Sequence, residues 1–243
     1  MNEIDKFQAE VKQRLEDFGK DASIKDLANK FLEESMKKMY VYNFAWLGIP
    51  IIQFPQEMVA IQELIWKVKP DLIIETGIAH GGSIILSASI LELIGNGEVI
   101  GIDIDIREHN RVQIEKHPMA KRIKMVQGSS IDKNTIEQVQ KMAEGKKNIM
   151  VILDSNHTHE HVLAELQAYA PLVSKDSYCI VLDTFVEDMP EKFFANRPWD
   201  KGNNPKTAVW EYLKQDDSFE IDKGIENKLL ITVAPDGYLK KIK

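Results

Sequence analysis

The sequence contains one cysteine, Cys179, in 243 residues. A single cysteine excludes an internal disulfide framework and a zinc site built on cysteine ligands. No uninterrupted apolar run approaches the ~20 residues that cross a bilayer. The first twenty residues mix acidic, basic and polar side chains and show no signal-peptide pattern. We therefore expect a soluble, cytoplasmic protein without a transmembrane segment, for which peripheral membrane contact stays open.

Positive charge is also scarce, because 31 lysines and arginines face 38 acidic residues and leave a net charge of −7. This balance argues against a protein that binds nucleic acid through a basic face. Hydrophobic residues make up 44% of the chain, enough to bury a core. The length suits one substantial α/β domain with a helical extension.

The first 56 residues differ in pattern from the rest. Residues 1–40 carry apolar side chains at helical spacing, which predicts two or three amphipathic helices that cover the core or a subunit interface. Residues 41–56 combine aromatic, proline and amide side chains without a period. They predict an ordered loop, either a packed connector or the wall of a substrate pocket that includes Tyr42, Trp46 and Gln53. We divide the chain into 1–56 and a main domain of 57–243.

From residue 57 onward, short apolar runs alternate with helical patterns. Apolar runs of this kind are typical of strands covered on both faces, and right-handed crossovers join them into a doubly wound, mostly parallel sheet. The long segment 184–205 has the character of a lid. The predicted strands are 72–75, 99–103, 123–126, 149–153, 178–182, 219–221 and 229–233. The predicted helices are 58–68, 83–94, 107–116, 133–143, 158–170 and 207–215.

A glycine-bearing turn follows the first strand of this alternation. Gly77, Gly81 and Gly82 allow positive φ and a close approach of backbone to a ligand, and the helix that begins near Ser83 offers free N–H groups. The G-x-G-x-x-G fingerprint of dinucleotide sites is broken by Ala79.

An acid, Glu75, stands two residues before this turn. A carboxylate here repels a pyrophosphate but attracts an ammonium group. S-adenosylmethionine carries an ammonium and a sulfonium and no phosphate, so the pattern favours it as the ligand. The alternative is a strand-to-helix turn with an incidental surface acid.

Acids follow four of the five parallel strands, namely Glu75, Asp103, Asp154 and Asp183. Ligands of doubly wound sheets bind beyond the carboxyl ends of the strands, so these acids predict one polar crevice, although each could instead cap a helix. Asp103 lies 21 residues after Gly82, which suits a carboxylate that binds both hydroxyls of an adenosine ribose. Ser129 and Ser130 follow the third strand and are expected beside the adenine.

The segment from Asp154 to His161 contains three histidines. Histidine is the usual general base near neutral pH, and methyl transfer to a hydroxyl needs a base. We predict His157 as that base with Asp154 beside it, His161 as a substrate contact one helical turn on, and His159 facing solvent. A zinc site of His157, His161 and Asp154 is an alternative, but it lacks the glutamate of the H-E-x-x-H motif.

Asp154 and Asp183 end neighbouring strands and predict a magnesium site, to which Thr184 could add an oxygen ligand. The alternative is that both aspartates form hydrogen bonds without a metal. Asp154 is thus a candidate for the donor site, the metal site and catalysis together.

Taken together, these motifs resemble the cephalosporin hydroxylase / rhamnosyl O-methyltransferase family over about residues 40–235. The resemblance rests on Trp46-Leu47-Gly48-Ile49-Pro50, Gln53, Pro55, the Glu75–Ser83 turn, Gly101-Ile102-Asp103, Gly128-Ser129-Ser130 and Asp154-Ser155-Asn156-His157 with His161-Val162.

This resemblance implies a class I methyltransferase fold with strand order 3-2-1-4-5-7-6, an antiparallel last strand, and a homo-oligomer. It also implies metal ligation by Asp154 and Asp183 and a catalytic base at His157. Many relatives carry Glu-Asp at the end of strand five, where this chain has Leu182-Asp183.

The sequence therefore predicts an S-adenosylmethionine-dependent O-methyltransferase that acts on a hydroxyl of a sugar or glycosylated small molecule, with Mg²⁺ as a possible second cofactor. One alternative is an NAD-dependent oxidoreductase, against which Ala79 and Glu75 speak. Another is a non-catalytic member that binds the donor and serves as a scaffold in glycan assembly.

Overall fold

Two amphipathic helices open the chain in the computed structural model, which describes residues 2–243. They are α1 (Glu3–Lys20) and α2 (Ala22–Lys37), followed by a 3₁₀ helix at Tyr40–Asn43. Asn2 starts α1 with a reciprocal capping box, and Asp21 caps α2 by accepting from the N–H groups of Ser23 and Ile24. The predicted helical extension is therefore present, with α2 packing on the core through Leu32.

The segment 41–56, predicted as an ordered loop without strands, contains a hairpin, so that prediction was wrong in this detail. Strands β1 (Phe44–Trp46) and β2 (Ile49–Ile51) pair antiparallel. Leu47 and Gly48 both have positive φ, as a two-residue hairpin turn requires. Pro50, which masks the strand pattern in the sequence, sits at an exposed position of this short ribbon.

The main domain is one seven-stranded sheet with helices on both faces. Its strands are β3 (Leu72–Thr76), β4 (Glu98–Asp103), β5 (Ile123–Gln127), β6 (Ile149–Leu153), β7 (Tyr178–Val181), β8 (Phe219–Ile221) and β9 (Tyr238–Lys241). The helices are α3 (Pro55–Val68), α4 (Gly82–Ile94), α5 (Glu108–Lys116), α6 (Lys133–Ala143), α7 (His159–Tyr169), α8 (Pro205–Gln215) and α9 (Lys223–Leu229). Further 3₁₀ helices span Pro118–Arg122, Ala170–Leu172 and Thr184–Asp188.

The order of strands across the sheet is β5-β4-β3-β6-β7-β9-β8, and β9 is antiparallel to both neighbours. Counted from β3, this is the predicted order 3-2-1-4-5-7-6, so the predicted fold is confirmed. The direction of strand addition reverses between β3 and β6. In such sheets this reversal opens a crevice at the carboxyl ends of the two strands, where ligands bind.

The central strands are buried on both faces because alternate side chains enter two separate apolar layers. Ile73 and Met150 join the layer under α3 and α4, whereas Ile74, Val151 and Cys179 join the layer under α7 and α8. The strong apolar runs in the sequence follow from this double coverage. Within residues 2–243, no helix combines the length and the apolar character needed to span a bilayer.

The predicted strand 229–233 was wrong, because α9 ends at Leu229 and the last strand is β9. Leu230 has φ 59° and ψ −48°, and Ile231 N–H donates to the Leu229 carbonyl at 2.6 Å. This tight turn diverts residues 231–235 across the carboxyl edge of the sheet. There the buried Glu57 carboxylate of α3 accepts from the Thr232 hydroxyl and the Val233 N–H.

Candidate functional site

The turn between β3 and α4 begins so close to the end of β6 that its first position has no room for a side chain. Gly77 has φ 88°, and a Cβ added there would lie 2.0 Å from the Asp154 carbonyl oxygen. Gly81 has φ 97° and precedes α4 directly. Both positions therefore favour glycine for conformation, and Gly77 also requires it for space.

Glu75 lies inside β3 rather than at its end, and its side chain is 1% exposed. One carboxylate oxygen accepts from the Ser83 hydroxyl, while the other has no partner among the described residues. Burial raises the pKa of Glu75 to about 7, against the lowering effect of the Ser83 hydrogen bond. Glu75 therefore lies beneath the turn and, when ionised, makes the crevice more negative.

Asp103, at the end of β4, holds the turn in place. One of its oxygens accepts from the N–H groups of Ile78 at 2.8 Å and Ala79 at 3.2 Å, and the other accepts from Asp105 N–H at 3.0 Å. Asn110 adds a bond to the Ala79 carbonyl at 2.8 Å. Asp103 thus couples the ends of β3 and β4 while it also lines the adjoining cavity.

Three cavities lie along this edge of the sheet. The first, the serine cleft, is lined by Asp103, Ile104, Ser129, Ser130, Ser155 and His161 together with Gly77, Ala79 and Asp154. The second, the turn cavity, is lined by Ile52, Gln53, His80, Gly82 and Ser83 together with Gly77, Ala79 and Asp154. The third, the histidine cavity, is lined by Met36, Tyr42, Gln53, His157, Asp183 and Val233 together with Ala79 and Asp154.

The structure places His161 in the serine cleft and not in the histidine cavity where a substrate contact was expected. Its Nε2 lies 3.0 Å from Ser130 Oγ and 3.2 Å from Ser155 Oγ. The Ser155 hydroxyl donates to Glu165 at 2.7 Å, and Glu165 is fully buried. Glu165 was missed in the sequence, although its helical spacing with Val162, Leu166 and Tyr169 marks it as a buried acid.

Asp154 and Ala79 line all three cavities, so the cavities meet beside them. The pKa of Asp154 lies well above its usual range, first because of burial and then because the carboxylates of Asp183, Glu75 and Glu165 repel its charge. Four acids converge on this junction. A cation bound there would relieve their mutual repulsion.

His157 stands in the loop before α7 and contacts the acid that ends the fifth parallel strand. Its Nε2 lies 3.1 Å from Asp183 Oδ2. One ligand atom each from Asp154, His157 and Asp183 can lie within 4.8 Å of one another. Two carboxylates and an imidazole are a donor set that divalent cations accept. Thr184, the third predicted metal ligand, is fully buried and lines none of the three cavities, and its hydroxyl donates to the Pro235 carbonyl at 2.6 Å.

Of the other predicted substrate contacts, Tyr42 and Gln53 line the histidine cavity and Trp46 does not. Gln53 is 3% exposed, and its amide oxygen has no partner among the described residues. The Trp46 indole donates to Ser89 on α4 at 3.0 Å and so fixes the hairpin. His159, predicted to face solvent, is instead partly buried against α8, where its ring contacts Thr207 and Glu211 at 2.8 and 3.0 Å.

The sequence profile of the family described as Rhamnosyl O-methyltransferase/CmcI matches residues 38–242. A curated Rhamnosyl O-methyltransferase of Mycobacterium tuberculosis (strain ATCC 25618 / H37Rv) is 31% identical over 217 residues, which are 85% of this chain and 83% of the relative. That of Mycobacterium leprae (strain TN) is 28% identical over 220 residues, 86% of this chain and 90% of the relative.

Solved structures share the fold at lower identity. The O-methyltransferase NovP superposes with a TM-score of 0.57 at 18% identity, over 92% of this chain and all of that one. A CmcI structure with Mg and SAM gives a TM-score of 0.58 at 19% identity, over 83% of this chain and 78% of that one. The chain therefore belongs to the Rhamnosyl O-methyltransferase/CmcI family, and the predicted S-adenosylmethionine-dependent O-methyltransferase is confirmed.

Proposed function

We propose that this enzyme methylates a hydroxyl of a sugar or of a glycosylated small molecule. The observation that carries the proposal is the junction at Asp154, where two cavities suited to the donor meet a third that contains a histidine. The curated relatives are named for a rhamnosyl group, which supports a sugar acceptor. The net charge of −7 gives no basis for a nucleic-acid acceptor.

The serine cleft suits the adenosine half of S-adenosylmethionine. Asp103 faces the ribose there, and Ser129 and Ser130 flank the adenine. The turn cavity takes the methionine half, where α4 offers unbonded N–H groups to the carboxylate and Ser83 lines the wall. When bound, the donor supplies a methyl group on a cationic sulfur. Glu75 and Asp154 stabilise that positive charge.

In the histidine cavity, His157 removes the proton of the acceptor hydroxyl. As the proton leaves, the acceptor oxygen forms a bond to the methyl carbon of the donor, and the bond between that carbon and the donor sulfur breaks. Asp183 accepts from one ring nitrogen of His157, which orients the imidazole and stabilises its protonated form. Tyr42 and the free amide oxygen of Gln53 contact the acceptor. Residues 1–56 therefore supply much of the acceptor pocket.

The cluster of Asp154, His157 and Asp183 also fits a divalent cation, and the CmcI structure with Mg and SAM supports one here. Asp154 and Asp183 would hold the ion, which supplies Lewis acidity toward the acceptor oxygen. Leu182 occupies the place of a further acid in many relatives and leaves a sparse ligand shell. The metal-free alternative assigns the same two aspartates to hydrogen bonds with the acceptor.

Calorimetric titration with S-adenosylhomocysteine, and separately with NAD, tests the donor assignment. We expect binding of the homocysteine compound and no heat with NAD, because the converging acids repel a pyrophosphate. Isotope-labelled donor, offered with free and glycosylated deoxysugars, then tests the acceptor class. Binding of NAD alone would favour the oxidoreductase, and donor binding without transfer to any hydroxyl would favour the scaffold.

Chelation measures how far the reaction depends on the cation. We expect exhaustive treatment with EDTA to lower the rate of methyl transfer, and Mg²⁺ or Mn²⁺ to restore it, because chelation removes the Lewis acid and leaves the charges of Asp154 and Asp183 to repel each other. Donor affinity, measured with S-adenosylhomocysteine in the same buffer, provides the control. Full turnover after chelation would leave only the hydrogen-bonding role of the aspartates.

We further propose a cytoplasmic enzyme that forms homo-oligomers. The apolar side chains of α1 and α2 support this assembly, because Ile4, Phe7, Leu27 and Phe31 remain exposed in the single chain. The same face could also make peripheral membrane contact. Sedimentation with and without lipid vesicles distinguishes these two uses.

A further inference from the structure

The segment between the 3₁₀ helix Thr184–Asp188 and α8 is held by its own polar side chains. Glu187 accepts from Gly202 N–H at 2.7 Å, and the backbones of Asp200 and Asn203 pair with each other at 2.9 and 3.2 Å. The Asn203 side chain then accepts from His159 N–H at 3.0 Å and donates to the Pro198 carbonyl at 2.9 Å. The segment is thereby tied to the start of α7.

This fixed segment brings Trp199 against His157. The two rings meet edge to face, with centroids 4.7 Å apart and planes at 87°. The indole is partly buried and packs on the apolar layer under α3 and α4. The Arg197 guanidinium lies 5.3 Å from its centroid and covers it further. Among the described residues that line the three cavities, Trp199 is absent, so it touches the base without bordering the acceptor.

We infer that Trp199 is a positioning residue for His157. The loop that carries His157 lies outside α7, so the helix does not fix the imidazole. Asp183 restrains one ring nitrogen, and the indole restrains the ring itself from a second direction. Two restraints from different directions define the orientation of a planar ring, whereas one hydrogen bond permits rotation about it. This inference rests on the proposed role of His157.

Two substitutions separate the positioning role from simple filling of space. Trp199→Ala removes the ring and should lower kcat about 10- to 100-fold, because small displacements of a reacting group are costly in rate. KM for the acceptor and the affinity for S-adenosylhomocysteine should stay within about threefold, the range expected where contacts to both ligands are unchanged. Trp199→Phe keeps an aromatic edge and should recover most of kcat.

Trp210→Ala provides the matched control. Trp210 is 41% exposed on α8, donates to Asp236 at 3.0 Å, and lines none of the three cavities among the described residues. Trp210→Ala removes the same indole volume as Trp199→Ala, but the removed ring does not contact His157. We expect kcat of this variant to match the parent, so a loss confined to Trp199→Ala is not a general effect of deleting a tryptophan.

A spectroscopic measurement tests the contact independently of turnover. In the proton NMR spectrum of the parent, the ring protons of His157 should show a ring-current shift caused by the indole. The His157 signal is identified as the one that is missing from the spectrum of His157→Gln. Trp199→Ala should abolish that shift, and Trp210→Ala should leave it in place. An unchanged His157 signal in Trp199→Ala would overturn the inference, as would a rise in acceptor KM at constant kcat. If the parent itself shows no transferase activity while Trp199→Ala still abolishes the shift, the contact between the two rings is supported and the proposed function is refuted instead.

Discussion

Replacement of His157 by alanine should lower kcat for methyl transfer by about 10²- to 10⁴-fold, the range that loss of a general base produces. His157 lines the histidine cavity and neither of the two donor cavities, so the affinity for S-adenosylhomocysteine should not change. The two measurements are steady-state turnover with labelled donor and calorimetric titration of the apo-enzyme. Retention of donor binding shows that the variant is folded.

The neighbouring histidines serve as controls. His159→Ala removes a ring that contacts Thr207 and Glu211 on α8, outside the three cavities, and should keep turnover within about threefold of the parent. His161→Ala removes a ring from the serine cleft and should weaken donor binding rather than turnover at saturating donor. The three substitutions thus predict three different outcomes within one short stretch of chain.

Exogenous imidazole and added metal separate two roles of His157. If its nitrogen takes the proton, millimolar imidazole should restore part of the activity of His157→Ala, and extra Mn²⁺ should not. If its nitrogen instead ligates the cation beside Asp154 and Asp183, a higher metal concentration should restore activity and imidazole should not. Turnover of His157→Ala within threefold of the parent contradicts both roles.

Most of the sheet and its polar edge could be predicted from the sequence, because the strands are buried on both faces. A strand such as Ile149–Leu153 has to be continuously apolar, so the first acid after it, Asp154, marks the edge of the sheet directly. The same logic located Asp103 and Asp183. It misplaced Glu75, which lies inside β3 and not at its end. Burial there is tolerated because the Ser83 hydroxyl donates a hydrogen bond to one of the two carboxylate oxygens.

The remaining features depend on contacts between distant parts of the chain. The hairpin at 44–51 forms because Leu47 and Gly48 adopt positive φ, which apolar composition does not reveal. Thr184 follows Asp183 directly in the sequence, but its hydroxyl donates to the carbonyl of Pro235, a contact 51 residues away that the sequence does not reveal. Trp199 and His157 meet only through the folded 189–204 segment. Local periodicity contains none of this information.

Stability of the ligand-free enzyme should fall as the pH rises from about 5 to 8. Glu57 and Glu75 are buried acids whose pKa values burial raises from 4.5 to about 7. Between these two values the folded chain binds protons that the unfolded chain releases. The free energy of unfolding therefore decreases with pH across this interval, and it levels off above the folded-state pKa. Each group accounts for about 3 kcal/mol at the full extent of the shift.

The neutral isosteres Glu57→Gln and Glu75→Gln should each flatten this dependence. As the pH rises from 5 to 8, the free energy of unfolding of each variant should increase relative to that of the parent by up to ~3 kcal/mol. This difference corresponds to roughly 6–12 °C in Tm for a domain of this size. Glu63→Gln is the matched control, because Glu63 lies on α3 like Glu57 but is exposed and pairs with Lys228 at the surface. Parallel curves for the parent and both buried variants would contradict the prediction.

Donor binding should distinguish the two buried acids, although their effects on stability are alike. Glu75 lies beneath the glycine turn and raises the pKa of Asp154, so its charge acts on the junction where the cationic sulfur is proposed to bind. Glu75→Gln should therefore weaken S-adenosylmethionine binding, whereas Glu57→Gln, which removes a carboxylate bonded to Thr232 and Tyr238, should not. A chain selected for stability alone would have no reason to keep an ionisable group in β3. The presence of Glu75 in β3 is explained if its carboxylate attracts the cationic donor, since this benefit offsets the loss of stability that the buried charge causes.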